Sequence, residues 1–392
     1  MIVVVYRPPE GNRTPPKING LPHFTEIRLA ELNLEETERL IQQKITHLTG
    51  ATSVAAELII RINERAQGNP FFVDEMINWL HDRGLTTADW AAISSLALPD
   101  SLHSLIISRI DQLQEAAKTT LKVASVLGRS FRASWLWGIF PEVGTPDRVR
   151  EQLAQLSRLE ITPLDRVDPE LEYLFKHIIT RQVAYESLAL ATRQMLHEQA
   201  GLFIERTFSE EVDRFVDLLA YHFGQSTSTD KQIEYFQKAA QSAKAAYANS
   251  VAVDYYQRLL PLLDGLHKAD TLLSLGDLLM ITGEWDQAEN VGRQALELTE
   301  RGGDHIKSAE CQRLLGALER HRGNYPLALP WLQKSRRGFE ALEDAANLRV
   351  VLREILGAGG TDGILVTTER FGYNADGRVA WHSRKQSGLA GD

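Results

Sequence analysis

The feature that most constrains this chain is a recurrence of small residues at fixed intervals in its C-terminal half. Ala252, Ala288 and Ala328 are separated by 36 and then 40 residues. Each stands three residues after Asn249, Trp285 or Tyr325, which read as turn residues, and twelve after Ala240, Gly276 or Gly316. Gly283-Glu284-Trp285 recurs as Gly323-Asn324-Tyr325. A period in this range belongs to arrays of helix pairs. A small residue where paired helices cross lets their backbones approach, and each pair buries its apolar face only against the next. The repeat therefore predicts a mainly α chain whose residues 177–356 form an α-solenoid.

Upstream, the pattern is also helical. Asn33 with Glu36 three residues on is a capping-box start, and Leu40, Ile41 and Ile45 supply an apolar face. A second helix is expected over residues 53–67, with Leu58, Ile59 and Ile62 inward and Gly68 as its stop. Asn69-Pro70 restarts a helix at once, Asn as N-cap and Pro at the first position, carrying Phe71, Phe72, Met76 and Leu80 to an end at Gly84. Pro99-Asp100 is read as opening another helix, followed by helices near 114–127 and 146–159 and strand-like stretches at 161–164 and 171–175. Three helices closed by a small hairpin is the element order of a winged helix. The solenoid pairs that follow are of tetratricopeptide type with stretched connections.

The two ends of the chain differ from this plan. Residues 2–6 form an apolar, β-branched run that reads as a strand buried on both faces of a parallel sheet. Either that strand is orphaned or its sheet is supplied from elsewhere. With no basic n-region and no small-residue cleavage site, the run is not expected to be a signal peptide. Residues 357–392 are Gly-rich and are expected to be poorly ordered, with one plausible hairpin, 364–373 against 378–382.

Composition narrows the function classes. The 392 residues carry 43 Lys and Arg against 52 Asp and Glu, a net charge of −9, which argues against nucleic acid or an anionic membrane as the main partner. No apolar run approaches the roughly 18 residues needed to span a bilayer. The single cysteine, Cys311, leaves no internal disulfide and fits a reducing cytosol, so a cytoplasmic location is expected. There is no Gly-x-x-x-x-Gly-Lys-Ser/Thr loop to wrap phosphates, no His-Glu-x-x-His and no Gly-x-Ser-x-Gly. The eleven histidines are scattered; His103, His197 and His222 fall in helical segments and are read as half-exposed, without a catalytic partner. No catalytic residues and no metal site are expected in this chain.

A run of motifs in fixed order carries a resemblance. Gly68-Asn69-Pro70-Phe71-Phe72-Val73-Asp74-Glu75, Leu98-Pro99-Asp100-Ser101-Leu102 to Arg109-Ile110-Asp111-Gln112-Leu113, and Ala124-Ser125-Val126-Leu127-Gly128-Arg129-Ser130-Phe131 are its first three members. Phe175-Lys176-His177, Ala184-Tyr185-Glu186-Ser187-Leu188 and Arg193 to His197 follow. Over residues 1–350 the chain resembles the signal-transduction ATPases with numerous domains, an AAA-type architecture associated with class III adenylate/guanylate cyclases and large bacterial transcriptional regulators.

That resemblance implies a domain order: residues 1–20 a remnant of the ATPase core ending in its sensor strand, 21–98 the helical lid, 99–176 a winged-helix-like domain, 177–356 the repeats and 357–392 the tail. The family's phosphate loop and magnesium-binding acidic strand would lie upstream of Met1. It also implies three nucleotide-binding positions. Arg7 matches the sensor arginine that approaches the terminal phosphate. Pro70 matches the lid proline that packs on adenine, a role compatible with its use as a helix start. His177 matches the winged-helix histidine that touches the β-phosphate of ADP, although relatives carry Asp where Ile178 stands here.

Three functions are weighed on this basis. Phosphoryl transfer needs a phosphate loop, a Lys and a metal held by acidic side chains, so intrinsic catalysis is not expected. An interaction module needs only the concave face of stacked helix pairs and a basic or neutral protein partner. A regulatory half of a switch ATPase would in addition pair with a phosphate-loop nucleotide-binding domain through residues 2–6. The sequence favours a non-catalytic regulatory or scaffold portion that binds protein through its repeats and requires no cofactor. The alternative is a nucleotide-binding regulatory or cyclase-associated protein, with ATP or ADP held jointly with a separate phosphate-loop domain.

Overall fold

The computed structural model describes residues 25, 27, 29–51, 53–85, 96–358, 366–373 and 379–387. The strand expected at 2–6 and Arg7 lie outside these residues. The chain divides into two compact units. One comprises Met1–Leu121, Arg150–Val167 and Tyr173–Ala184, the other Lys122–Val149, Asp168–Glu172 and Tyr185–Asp392.

The first unit begins with α1 (Leu34–Thr49), α2 (Ala56–Ala66), α3 (Pro70–Asp82) and α4 (Leu102–Asp111). The capping box before α1 forms as read: Glu36 N donates to Asn33 Oδ1 and Asn33 N to Glu36 Oε2, both at 2.9 Å. The helix expected over 53–67 is shorter. It starts after Ala55, which has no side-chain oxygen to cap with, and its left-handed stop comes at Gln67 (φ 48°), one residue before Gly68 (φ 76°). Ile41, Leu58, Ile62, Met76 and Leu105 form the fully buried centre, each contributing about 1.5–3 kcal/mol of apolar burial. Helix α4 opens two residues later than Pro99-Asp100 suggested, because Ser101 and Ser104 make the capping box.

α5 (Glu115–Leu127), α6 (Ala133–Ile139) and α7 (Pro146–Arg158) follow, with β1 (Ser130–Arg132), β2 (Leu164–Arg166) and β3 (Glu172–Leu174) in a sheet ordered β1–β3–β2. β1 and α6 carried no sequence signal read above. β2 lies further on than the stretch expected at 161–164. Ile161 N and Thr162 N both donate to Leu156 O, at 3.0 and 3.3 Å, so those residues close the end of α7 instead.

α8 (Ile178–Glu186) leads into an all-helical run. It comprises α9 (Leu190–Thr207), α10 (Val216–Gly224), α11 (Thr229–Ala245), α12 (Asn249–Leu259), α13 (Gly265–Thr282), α14 (Trp285–Gly302), α15 (His305–His321), α16 (Tyr325–Ala341) and α17 (Ala345–Ala358). The predicted α-solenoid is present, and its small residues sit where the period placed them. Ala240, Ala252, Ala288 and Ala328 are completely buried. A Cβ on Gly276 would stand 2.6 Å from Leu314 Cδ2, and one on Gly316 2.6 Å from Leu332 Cγ. Asn249, Trp285 and Tyr325 are not in the turns but are the first residues of their helices. The turns sit just before them, where Gly283 (φ 83°) and Gly323 (φ 79°) end the preceding helices. There Glu284 N reaches back to Leu279 O and Asn324 N to Glu319 O, both at 2.8 Å.

The tail holds an antiparallel hairpin of β4 (Val366–Tyr373) and β5 (Val379–Ser387), Val366 facing Ser387, with a register shift at Gly372/Tyr373. Its second strand is longer than the expected 378–382. Among the described residues, no helix is long and apolar enough to cross a membrane.

Candidate functional site

In the first unit, two of the residues singled out from the sequence, Pro70 and His177, come together at the start of α3. Pro70 occupies the first helical position, where a missing N–H costs nothing, and Asn69 Oδ1 accepts from Phe71 N at 3.0 Å and Phe72 N at 3.2 Å. The turn before it is tied down: Leu32 N donates to Gly68 O at 2.8 Å. A Cβ on Gly68 would stand 2.5 Å from Leu32 O, so only glycine fits there.

His177 begins the approach to α8, and its carbonyl accepts from Thr180 N at 3.1 Å. The residue before it is anchored by Lys176 N donating to Ile161 O at 3.1 Å. This brings the His177 ring to 3.8 Å, centroid to centroid, from Phe71, the residue after Pro70. Two positions 107 apart in sequence are thus neighbours through Phe71.

Around this contact lies a network of charges that sequence reading did not assemble. Asp74 accepts from Lys44 Nζ at 3.0 Å and from Lys176 Nζ at 3.1 Å, while Glu160 accepts from both lysines at 2.7 Å. Arg109, with its side chain 3% exposed, donates through Nη1 to Glu75 at 2.5 Å, lies 2.8 Å from Asp82, and bonds Leu159 O at 2.9 Å. Lys44 is on α1, Asp74, Glu75 and Asp82 on α3, Arg109 on α4, and Leu159 and Glu160 just past α7. Burial alone would raise the Glu160 carboxyl, but hydrogen bonds from Lys176 and Lys44 outweigh it and hold the group at about 2. Asp74 is lowered on the same balance of burial against the two lysines. Lys176 and Arg109 are both raised, burial being overcome by Glu160 and Asp74 in one case and by Glu75 and Asp82 in the other.

Ligand-type atoms of Asp74, Glu75 and His177 lie within 4.8 Å of one another. Both carboxylates are already engaged by Lys44, Lys176 and Arg109, so a cation entering there would have to displace ammonium or guanidinium groups at hydrogen-bond distance. The arrangement is one of charge compensation: it fixes α3 in place and holds the Phe71–His177 contact beside it. A signal for Arg109 was present, since it stands four residues after buried Leu105 on the apolar face of α4. The lysines gave none, Lys44 lying 116 residues from Glu160 and Lys176 102 residues from Asp74.

The expectation for His197 and His222 is corrected in the second unit. Both are completely buried, and their Nδ1 atoms are 3.0 Å apart. The half-exposed expectation fails because each lies in a helix whose polar and apolar faces the sequence does not separate cleanly. His103, expected to be half-exposed, is exposed.

The comparisons bear on the repeats most directly. Residues 267–341, α13 to α16, match the tetratricopeptide repeat family, and this part of the solenoid is a tetratricopeptide repeat region. Residues 33–90, which include α1 to α3, match a Domain of unknown function (DUF8739). No curated protein matches the chain. Solved structures similar to it include a Signal Transduction ATPase with Numerous Domains protein with a tetratricopeptide repeat sensor from Pyrococcus horikoshii. The identity is 14% and the TM-score 0.32, over 84% of this chain and 50% of that one. The chain therefore spans about half the length of that protein.

Proposed function

We propose that this chain is the non-catalytic regulatory or scaffold portion of a signal-transduction ATPase architecture. In this reading it works in the cytoplasm and uses its tetratricopeptide repeats to hold a protein partner. The observation that carries the proposal is the repeat region itself, since stacked helix pairs present a concave surface suited to peptides and partner domains. The ordered motifs from Gly68 to His197 supply the regulatory part of the reading. In it, residues 21–98 act as a lid and 99–176 as a winged-helix-like domain.

The Phe71–His177 contact favours a second reading, in which nucleotide is bound. Pro70 and His177 would then meet the adenine and the β-phosphate of ADP, with Arg7 and a phosphate-loop domain completing the site. A titration of the whole chain with fluorescent ADP and ATP, with and without magnesium, separates the two. The scaffold reading expects no saturable binding at submillimolar nucleotide. Saturable binding that is lost in His177→Ala would overturn it in favour of the nucleotide-binding one.

A further inference from the structure

We propose that His197 and His222 form a pH-sensitive latch between α9 and α10. The two helices are joined through a 3-10 segment, Ser209–Phe215, in which Glu211 departs from helical geometry (φ −124°). They approach closely: a Cβ on Gly201 would stand 2.6 Å from Phe223 Cζ. At this crossing His197 Nδ1 faces His222 Nδ1 at 3.0 Å, and Tyr185 Oη lies 3.1 Å from His197 Nε2.

The chemistry of imidazole fixes how many protons this arrangement takes. One Nδ1 must carry hydrogen and the other must present a lone pair. With the Tyr185 hydroxyl donating to His197 Nε2, His197 donates through Nδ1 and His222 accepts at Nδ1, its own hydrogen on Nε2. One added proton is tolerated: His197 becomes imidazolium, donates through both nitrogens, and Tyr185 accepts. A second would have to go on His222 Nδ1, setting N–H against N–H. The reverse chain, with His197 Nε2 donating to Tyr185 and His222 Nδ1 donating to His197 Nδ1, satisfies the same contacts and likewise has room for one further proton, on His222 Nε2. The folded pair therefore holds at most one extra proton, whereas two separated histidines take up two below their usual pKa of about 6.5.

The sign follows directly. Below that pH the open state binds more protons than the closed one, so closure weakens as pH falls, by up to about tenfold per pH unit for each excluded proton. Tyr185 and Tyr221 flank the pair, the Tyr221 ring 5.5 Å from the His197 ring. Arg193 sits over Tyr185 at 5.0 Å. The acidic Glu205 of α9 is taken by Lys231 at 2.6 Å and Tyr235 at 2.5 Å, and Asp217 of α10 by Tyr255 at 3.1 Å.

Hydrogen exchange of the whole chain, followed by mass spectrometry between pH of about 8 and 5.5 and corrected for intrinsic rates, tests the latch. Peptides from 190–224 are expected to lose protection by up to about tenfold per pH unit below about 6, while those from 285–321 do not. His222→Asn keeps a polar group near the Nδ1 position and cannot titrate, so its 190–224 peptides should show no acid-specific loss. Flat protection in the wild type, or an unchanged acid loss in His222→Asn, overturns the proposal. Should that variant not fold, nitrogen-15 spectra of the wild-type imidazoles decide. One ring staying neutral until the segment opens is expected; two independent titrations near 6.5 in the closed state overturn it.

Discussion

The helices around α3 and those of the repeats meet the same demand, bringing backbones close without strain, by different means. Around α3, ion pairs do it: buried Arg109 ties Glu75 and Asp82, and two lysines tie the partly exposed Asp74 and Glu160. Along the repeats, periodic alanines and glycines do it, and ion pairs such as Arg313–Asp277, at 3.4 Å with the aspartate 39% exposed, decorate the outside. A buried charge network tolerates no loss of a partner, whereas a small-residue seam tolerates no gain of volume.

The largest expected effect tests the first half of that contrast. Arg109→Ala would leave Glu75 buried and uncompensated, at a cost of about 3–5 kcal/mol. Arg313→Ala removes a peripheral pair and should cost less than about 1 kcal/mol. Urea unfolding midpoints of the two variants measure the difference, and equal shifts would erase the distinction between the regions.

Adding a methyl group compares three glycines, Gly68 beside α3 with Gly316 and Gly283 of the repeats. Gly68→Ala meets a main-chain oxygen at 2.5 Å and a left-handed backbone together, for an expected loss of about 2–4 kcal/mol. Gly316→Ala meets Leu332 Cγ at 2.6 Å, a side chain that shifts only partly because Leu332 N is also 3.2 Å away; about 1–3 kcal/mol is expected. Gly283→Ala has nothing within 4 Å and carries only the cost of its φ of 83°, about 1 kcal/mol. If thermal unfolding ranks Gly283→Ala with Gly316→Ala, crowding at the helix crossing is not what keeps the repeat glycine small.

The same contrast explains what could be read from the sequence. The repeats were legible because their packing rule recurs: Gly276 and Gly316, 40 residues apart, each face a leucine side chain of another helix, Leu314 and Leu332, that a Cβ would approach to 2.6 Å. Caps were legible because Asn33 and Asn69 act within three residues. The short strands were placed only approximately, because β2 competes with the end of α7 for Ile161 and Thr162. Lys44–Glu160 spans 116 residues and occurs once, so no period marks it. His197 and His222, 25 residues apart, are likewise joined by a crossing that neither helix announces by itself. Pro70 was legible as a helix start, whereas its proximity to His177 through Phe71 is visible only in three dimensions.

A small effect at neutral pH sharpens the comparison most, because it assigns each region its own pH window. Glu160 is depressed to about 2 from an ordinary 4.5. Its contribution is therefore present above about 4.5 and lost as the pH falls through 2, because the unfolded chain binds the proton first. The side chain is 36% exposed, so screening leaves about 1 kcal/mol at pH 7. Glu160→Gln should lower neutral stability by that amount and flatten the decline between about pH 4.5 and 2, Asp74 supplying the remaining slope. The latch at His197 acts instead near 6.5, on a different set of helices. Denaturant titrations across both windows should then show the variant lower by a constant amount in the upper window and altered in slope only in the lower one. Wild-type and Glu160→Gln curves running parallel from pH 5 to 2.5 would mean that the lysines do not hold this carboxylate.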